Sequence, residues 1–443
     1  MDLKSYPLLS ALMDRRSRRV GAGMGIPGGP LAFQSKLPAC PLTEDEEAAM
    51  AFAACGITGS ALADLSYAAD GGGSIMSGLV GRTIASGDGI QTVSLIVIND
   101  DGAWLVRRPQ ELAVQDLPGL IQLARDGALT ELYRRTRVRI CDKRPRTPIK
   151  PLFNISANSW SAHAPGSTYF LPINDMTLMY LNGIIEIFNE HTAAFPLDER
   201  AHFLPAGVSR FAMSKGGHLD DNPHNVRVVT IRMVEQFVTE FVTIEQGMML
   251  QNLSLMAQAL GLGGWPNFAN HDFAWFEALG FRMEKLRASQ YLGTGSAIGF
   301  LMGMLGKNPT VPFPIGLERD GQILLRALTP PYFESMGEAV QAVVDLKFGI
   351  KGIFRKPGEA ADWKNPETVK KSVPPTSQKA IDAATAYAEY VWKRYGRFPA
   401  YMPPFRTILG FQAVHLDPAF YAQYYKPEAL ASTQREDFKK RGL

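Results

Sequence analysis

Between Val234 and Leu260 the apolar positions recur in steps of three and four: Phe237, Val238, Phe241, Val242, Met248, Leu250, Leu253, Met256 and Leu260. That spacing predicts a helix rather than the alternation of a strand. No charged residue falls between Glu245 and Asp272, and apolar residues sit on nearly every face of the second half, so the helix is expected to be buried. Gly261, Gly263 and Gly264 stop it, and glycine permits both a left-handed cap and close backbone approach. Trp265 and Pro266 follow as an aromatic plate on a rigid turn. A central helix ending in a glycine elbow and an aromatic suits a flat ligand, although an ordinary core helix with a glycine stop shares the pattern.

The rest of the chain divides by the same criteria. Residues 6–19 read as a short amphipathic helix, and 21–30 as a glycine-rich loop. Thr43 with Glu46 three residues later predicts a capping box for a helix running to about Cys55. Gly71, Gly72 and Gly73 read as a loop. Thr92–Asn99 and Ala103–Arg107 read as a hairpin around an Asp-Asp-Gly turn. Residues 116–133 look helical, 151–172 loop-like, and 175–189 form a second strongly apolar helix. Short strands are expected at Val311–Ile315 and Gln322–Leu328, a linker at 357–376, and an amphipathic helix at Ser377–Tyr395. The aromatic-rich tail is expected to pack on the main body. No internal repeat is evident.

Composition narrows the classes. With 443 residues, 46% of them apolar and 20% charged, the chain has ample material for a globular core. A net charge of +3 is too small to imply a nucleic-acid partner. Cys40, Cys55 and Cys141 are scattered and odd in number, which argues against a disulfide framework and fits the cytoplasm. No signal peptide is visible at the N-terminus. Ala288–Gly306 is uncharged and repeats small residues at Gly295, Gly299 and Gly303, a spacing found in membrane helices. Its modest length and its Ser289, Gln290, Thr294 and Ser296 point instead to a buried glycine-rich helix or loop, so no membrane partner is expected.

Several clusters could carry chemistry. Arg15, Arg16, Ser17, Arg18 and Arg19 place four guanidiniums and a hydroxyl together, and the planar guanidinium suits phosphate. A solvated basic face is the plainer alternative. Arg82, Ser86 and Gly87, just before a predicted strand, form a loop able to present hydroxyls and backbone N–H groups. Residues 134–150 carry eight Lys or Arg against one Asp, without the interleaved aromatics that stack bases. His218, Asp220, Asp221 and His224 could ligate a metal but lack a helical ligand spacing, so no metal site is assigned. His415 and Asp417 could pair as acid and base, or Asp417 could simply cap a helix.

In order along the chain, these pieces resemble the nitroreductase-like FMN superfamily, with most likeness to its peptide-azoline dehydrogenase branch. The matching stretches are Arg15–Arg19, Ala53–Gly59, Arg82–Gly87 before a strand, Gln251–Gly264 and Pro312–Gly316. The resemblance implies an α+β fold with an antiparallel sheet flanked by helices. It divides the chain into an FMN-binding domain over 1–330, with an insertion at about 125–233, and a helical extension over 331–443. It further implies a homodimer with FMN at the interface. Arg15, Arg16, Ser17 and Arg19 would meet the phosphate and ribityl chain. Ser86 and Gly87, with Arg82 in the same loop, would lie near the ribityl or ring across the dimer, and Gly263, Gly264 and Trp265 would border the isoalloxazine. Arg326 is the nearest candidate for the family's further phosphate-binding base. The Lys/Tyr pair of azoline dehydrogenases has no counterpart, so no catalytic residue is assigned. The implied activity is hydride transfer between flavin N5 and a small organic substrate, with NADH or NADPH as electron donor. Two related readings are an oxygen-using or flavin-fragmenting enzyme and a flavin-free descendant that binds a partner through 134–150.

Overall fold

The computed structural model describes residues 3, 5–61, 80–150, 154–267, 272–294, 296–350, 352, 355 and 363–443. The elements used below are α1 (Leu8–Asp14), α2 (Glu44–Cys55), β1 (Val93–Asn99), β2 (Gly102–Val106), α3 (Leu117–Asp126), α4 (Leu129–Thr136), β3 (Arg137–Cys141), β4 (Thr168–Asp175) and α5 (Met176–Ile187). They continue with α6 (Ile231–Leu260), β5 (Gly263–Asn267), β6 (Arg282–Arg287), β7 (Thr310–Arg319), β8 (Gln322–Arg326), α7 (Met336–Phe348), α8 (Gln378–Tyr395), β9 (Phe405–Arg406), β10 (Gly410–Val414), α9 (Pro418–Tyr424) and α10 (Ser432–Lys440). The loop at Gly71–Gly73 and much of the expected linker lie outside the described residues. Within that linker, Pro366–Ser372 is helical.

The fold is α+β. Its main sheet is antiparallel and runs β5-β10-β4-β1-β2-β3, with β9 pairing to β4. Alternate residues of β1 divide between two cores, as the two-residue period of a strand requires. Val93, Leu95 and Val97 pack with α2 and the second half of α6, together with Met249, Leu253 and Ala257. Ile96 and Ile98 face the other side, where Trp275, Phe276, Leu317 and Leu325 cover the sheet. A third core joins α5, α7 and α8 to the first half of α6 through Tyr180, Ile184, Val340 and Tyr387. The stretches read from the sequence as insertion and extension supply β4 and β10, and sheet hydrogen bonds tie both to the remaining strands.

The helix α6 is 30 residues long and is capped by the Thr230 side chain, which accepts from Met233 N. Gly261 ends it at φ +80°, where a Cβ would also meet Thr433 O at 2.4 Å, so both conformation and packing require glycine there. Its second half is largely covered. Its first half is not, because Met233, Phe237 and Ile244 are 56%, 58% and 61% exposed. The capping box of α2 forms as expected, Thr43 N donating to Glu46 Oε2 at 2.7 Å.

Several expectations need correction: the loop read over 151–172 ends in strand β4 from Thr168, and Trp265 and Pro266 lie in strand β5 rather than on a turn. The N-terminal helix stops at Asp14, and Arg15–Arg19 continue in extended conformation, with Arg18 bridging to Gly264. The helix expected over 116–133 is two, broken at Gly127 with φ +76°. The stretch Ala288–Gly306 is not buried: it forms two short helices, the second exposing Ile298, Phe300 and Leu301. Among the described residues no helix is long and apolar enough to cross a membrane.

Candidate functional site

Bridging of Arg18 to β5 brings the basic cluster to the edge of the main sheet, beside the last turns of α6. Arg18 itself is 5% exposed and internally committed. Its Nε donates to Ala429 O at 2.8 Å and its Nη1 to Gln258 Oε1 at 3.0 Å. Arg19 points the other way, its guanidinium 5.1 Å from the Trp160 ring centre and 5.3 Å from that of Trp265. Nη2 donates to Asn158 Oδ1 at 2.5 Å, while the buried Nε has no acceptor. Burial lowers the pKa of both arginines from the usual range. Arg16 is exposed and donates to Met13 O and Arg15 O at 3.0 and 2.8 Å, and Ser17 is also exposed.

These residues form one wall of a cleft of about 660 Å³, completed by Trp160, Phe420, Tyr421, Tyr425 and the Gly28–Leu31 loop. Its volume lies within the range of small-molecule sites. Tyr421 Oη accepts from Arg19 N at 3.0 Å, fixing α9 to the N-terminal segment. A second cavity, lined by α2 and α4 residues such as Ala48 and Leu132, holds only about 20 Å³ and has no room for a ligand.

The residues suggested by sequence separate into three groups. Arg16, Ser17 and Arg19 line the cleft, whereas Arg15 does not. Gly263, Gly264 and Trp265 stand behind it in β5. A Cβ on Gly263 would meet Arg18 O at 2.7 Å, and one on Gly264 would meet Phe411 Cζ at 2.4 Å, so close packing within this chain accounts for both glycines. Trp265 is buried with its Nε1 unpartnered, and Arg19 covers its face. Arg82, Ser86 and Gly87 lie beside the earlier half of α6. Arg82 donates to Val93 O at 3.0 Å and pairs with Glu245 at 3.4 Å, both side chains 2% exposed. Ser86 Oγ accepts from Gln91 N at 2.7 Å, and a Cβ on Gly87 would strike Phe241 Cδ1 at 2.3 Å. Glu245 and Gln258 mark the two groups on α6, about 20 Å apart at about 1.5 Å per residue.

Other candidates resolve differently. Asp220 accepts from Asn222 N and Asn225 Nδ2 and Asp221 from Ser214, ordering their own loop, and His218 ties it to the end of α5 through Phe188 O at 2.9 Å. Asp417 caps α9 by accepting from Ala419 N and Phe420 N. His415 does not pair with it. It lies between Glu46, 3.2 Å from Nε2, and Asp437, 3.3 Å from Nδ1. Burial opposes its charge, but hydrogen bonds and charges from Asp437 and Glu46 prevail and carry its pKa up to about 9. Among the described residues these three are the group spaced to hold a metal ion. A protonated imidazole offers no lone pair, and Arg441 already pairs with Asp437 at 2.9 Å, so the cluster is an ion-pair network. In the basic segment, Arg134 and Arg137 both pair with Glu44 at 2.5 Å and Arg144 with Asp100 at 3.0 Å. Arg326 stacks on Phe333, 4.7 Å from its ring centre.

Sequence reasoning missed Trp160, Tyr421 and Tyr425. The aromatic run after Asp417 was the available signal, but nothing local ties it to an arginine some 400 positions earlier: Arg19 and Tyr421 are 402 apart. No protein-family model matches the chain, and no curated protein matches it. A solved structure from Ralstonia eutropha JMP134, described provisionally as a nitroreductase, is similar over 62% of this chain and 77% of its own, with 12% identity and a TM-score of 0.30.

Proposed function

We propose that this chain is an FMN-dependent oxidoreductase of nitroreductase-like kind, acting on a small organic substrate with NADH or NADPH as electron donor, and that the cleft beside Arg16–Arg19 holds the flavin phosphate. The observation that carries the reading is the cleft itself: about 660 Å³, walled by Arg16, Ser17, Arg19, Trp160, Tyr421 and Tyr425. The donor set fits the group, since two arginines and a hydroxyl suit a dianion, and the buried Nε of Arg19 has an N–H to give. Trp160 and Tyr425 offer aromatic surface to a flat ring. When bound, FMN supplies hydride transfer at N5. The chain's part is to neutralise the phosphate with Arg16 and Arg19, fix Arg19 between two indoles, and exclude water with the aromatic wall.

The reading also takes the protein to be a homodimer. Within one chain Ser86 and Gly87 are remote from the cleft, but Gly87 packs on Phe241, whose ring centre is 4.6 Å from that of the exposed Phe237. A second copy docked on the exposed stripe Met233, Phe237 and Ile244 would cover this corner and could bring its Arg16–Arg19 cleft near Ser86. Leu253 is not part of that face. It is 0% exposed in the chain's own core.

The test is an absorbance spectrum of the purified protein, then FMN titration followed by quenching of flavin fluorescence. Flavin bands or saturable uptake are expected. Replacing Arg16 and Arg19 together by Ala should weaken binding by several kcal/mol, at about 1.5–3 kcal/mol per charged hydrogen bond. Unchanged affinity in that variant would remove the phosphate assignment, and no uptake by the native protein would remove the flavin.

A further inference from the structure

The first half of α6 meets the segment after α8 in a buried group of arginines and tyrosines, remote from the cleft. Glu235, in this group, and Gln258, at the cleft, stand about 35 Å apart along the helix at about 1.5 Å per residue. Arg397 is 1% exposed. Its Nη2 donates to Tyr291 O at 2.7 Å and to Ala400 O, and its guanidinium lies 3.5 Å over the Tyr291 ring. Its Nε and Nη1 are buried without an acceptor. Arg200 stacks 3.5 Å over Tyr401, and its Nη1 and the Tyr401 hydroxyl are likewise buried and unpartnered.

The acids nearby do not answer these donors. Glu235 spends both oxygens on main-chain N–H groups, accepting from Ala400 N at 2.6 Å and Tyr401 N at 2.7 Å. Burial, outweighing those N–H groups and Arg397, pushes its pKa up to about 8. Asp198 is taken by Tyr390, Tyr395 and Arg394. Glu199, 4.0 Å from Arg232, acts on Arg200 by charge alone, since neither of its buried oxygens accepts a hydrogen bond. Nε and Nη1 of Arg397, Nη1 of Arg200 and the Tyr401 hydroxyl are thus left without an acceptor, and a buried donor without a partner is costly.

We propose that Arg200, Arg397 and Tyr401 form a second binding site, for a small molecule carrying a carboxylate or phosphate group. The free N–H and O–H donors belong to groups that favour oxyanions, and the stacked tyrosines hold both guanidiniums in place. Arg200 and Tyr401 are only half-buried, so the group reaches the surface at these two residues, while the free donors themselves are covered.

The experiment is thermal unfolding of the full chain in a zwitterionic buffer, titrated separately with inorganic phosphate and with acetate. A saturable rise in midpoint is expected with at least one anion, weakened tenfold or more in Arg200→Gln and retained when Arg16 and Arg19 are both Ala. A response to phosphate alone identifies a phosphoryl ligand, and to acetate alone a carboxylate. No saturable rise, or one unchanged by Arg200→Gln, overturns the proposal. Should Arg200→Gln fail to fold, crystals of the native chain soaked in bromide decide: anomalous density against Arg397 and Arg200 upholds the site, and its absence there refutes it.

Discussion

His415 sets up a pH dependence that can be worked from the structure. Its imidazole joins α2 through Glu46 to α10 through Asp437, and its pKa rises from the ordinary 6.5 to about 9. A group bound more tightly to its proton in the folded state stabilises that state fully below its unfolded pKa, and the gain is lost as pH rises through the folded value. The window is therefore 6.5 to about 9, and the gain is about 3 kcal/mol at roughly 1.4 kcal/mol per pH unit. Toward acid the network weakens again. Although burial opposes it, His415 holds the Glu46 carboxyl below its usual range, so that contribution is lost as pH falls through this lowered value. Replacing His415 by Gln keeps a hydrogen-bonding side chain and removes the charge. Urea unfolding at a series of pH values should show the native chain ahead by about 3 kcal/mol more at pH ~6 than at pH ~10. A difference between the two proteins that does not change with pH would show that the imidazole is neutral in the folded protein, and the reasoning would fail.

Two further outcomes follow from the packing. Gly264→Ala puts a methyl 2.4 Å from Phe411 Cζ on the edge strand of the main sheet, and should destabilise the fold by about 1–3 kcal/mol in the same unfolding assay. An unchanged midpoint would mean the glycine is there for another reason. Phe237→Asp alters a side chain 58% exposed on α6, so the monomer should fold normally. Sedimentation should then show loss of the dimer, and an intact dimer would place the interface elsewhere.

Elements whose signal is local were legible in the sequence. The glycine stop of α6, the Thr43–Glu46 box and the β1–β2 hairpin each depend on residues a few positions apart, and all are present. Two central strands were not. Thr168–Asp175 is buried on both faces, so it lacks polar alternation, and Pro172 within it argues against a strand. Gly410–Val414 is equally covered, and its partners, Gly263–Asn267 and Thr168–Asp175, are known only from the assembled sheet. The cleft shares that difficulty. The arginines were visible, but Trp160 and Tyr421 reach them only through long-range contacts, as do Phe411 and Arg18, on which Gly264 and Gly263 pack closely.

The position of β10 has a consequence for how the chain is made. It lies between β5 and β4, pairing Trp265 with Gln412 on one side and Phe170 with Phe411 on the other. During synthesis from the N-terminus, both neighbours leave the ribosome long before residues 410–414 do. Until then each presents an unpaired apolar edge, the kind of surface on which nascent chains associate wrongly. The main sheet closes as a late, long-range event, and a ribosome that stalls ahead of Gly410 would release a chain with its centre open.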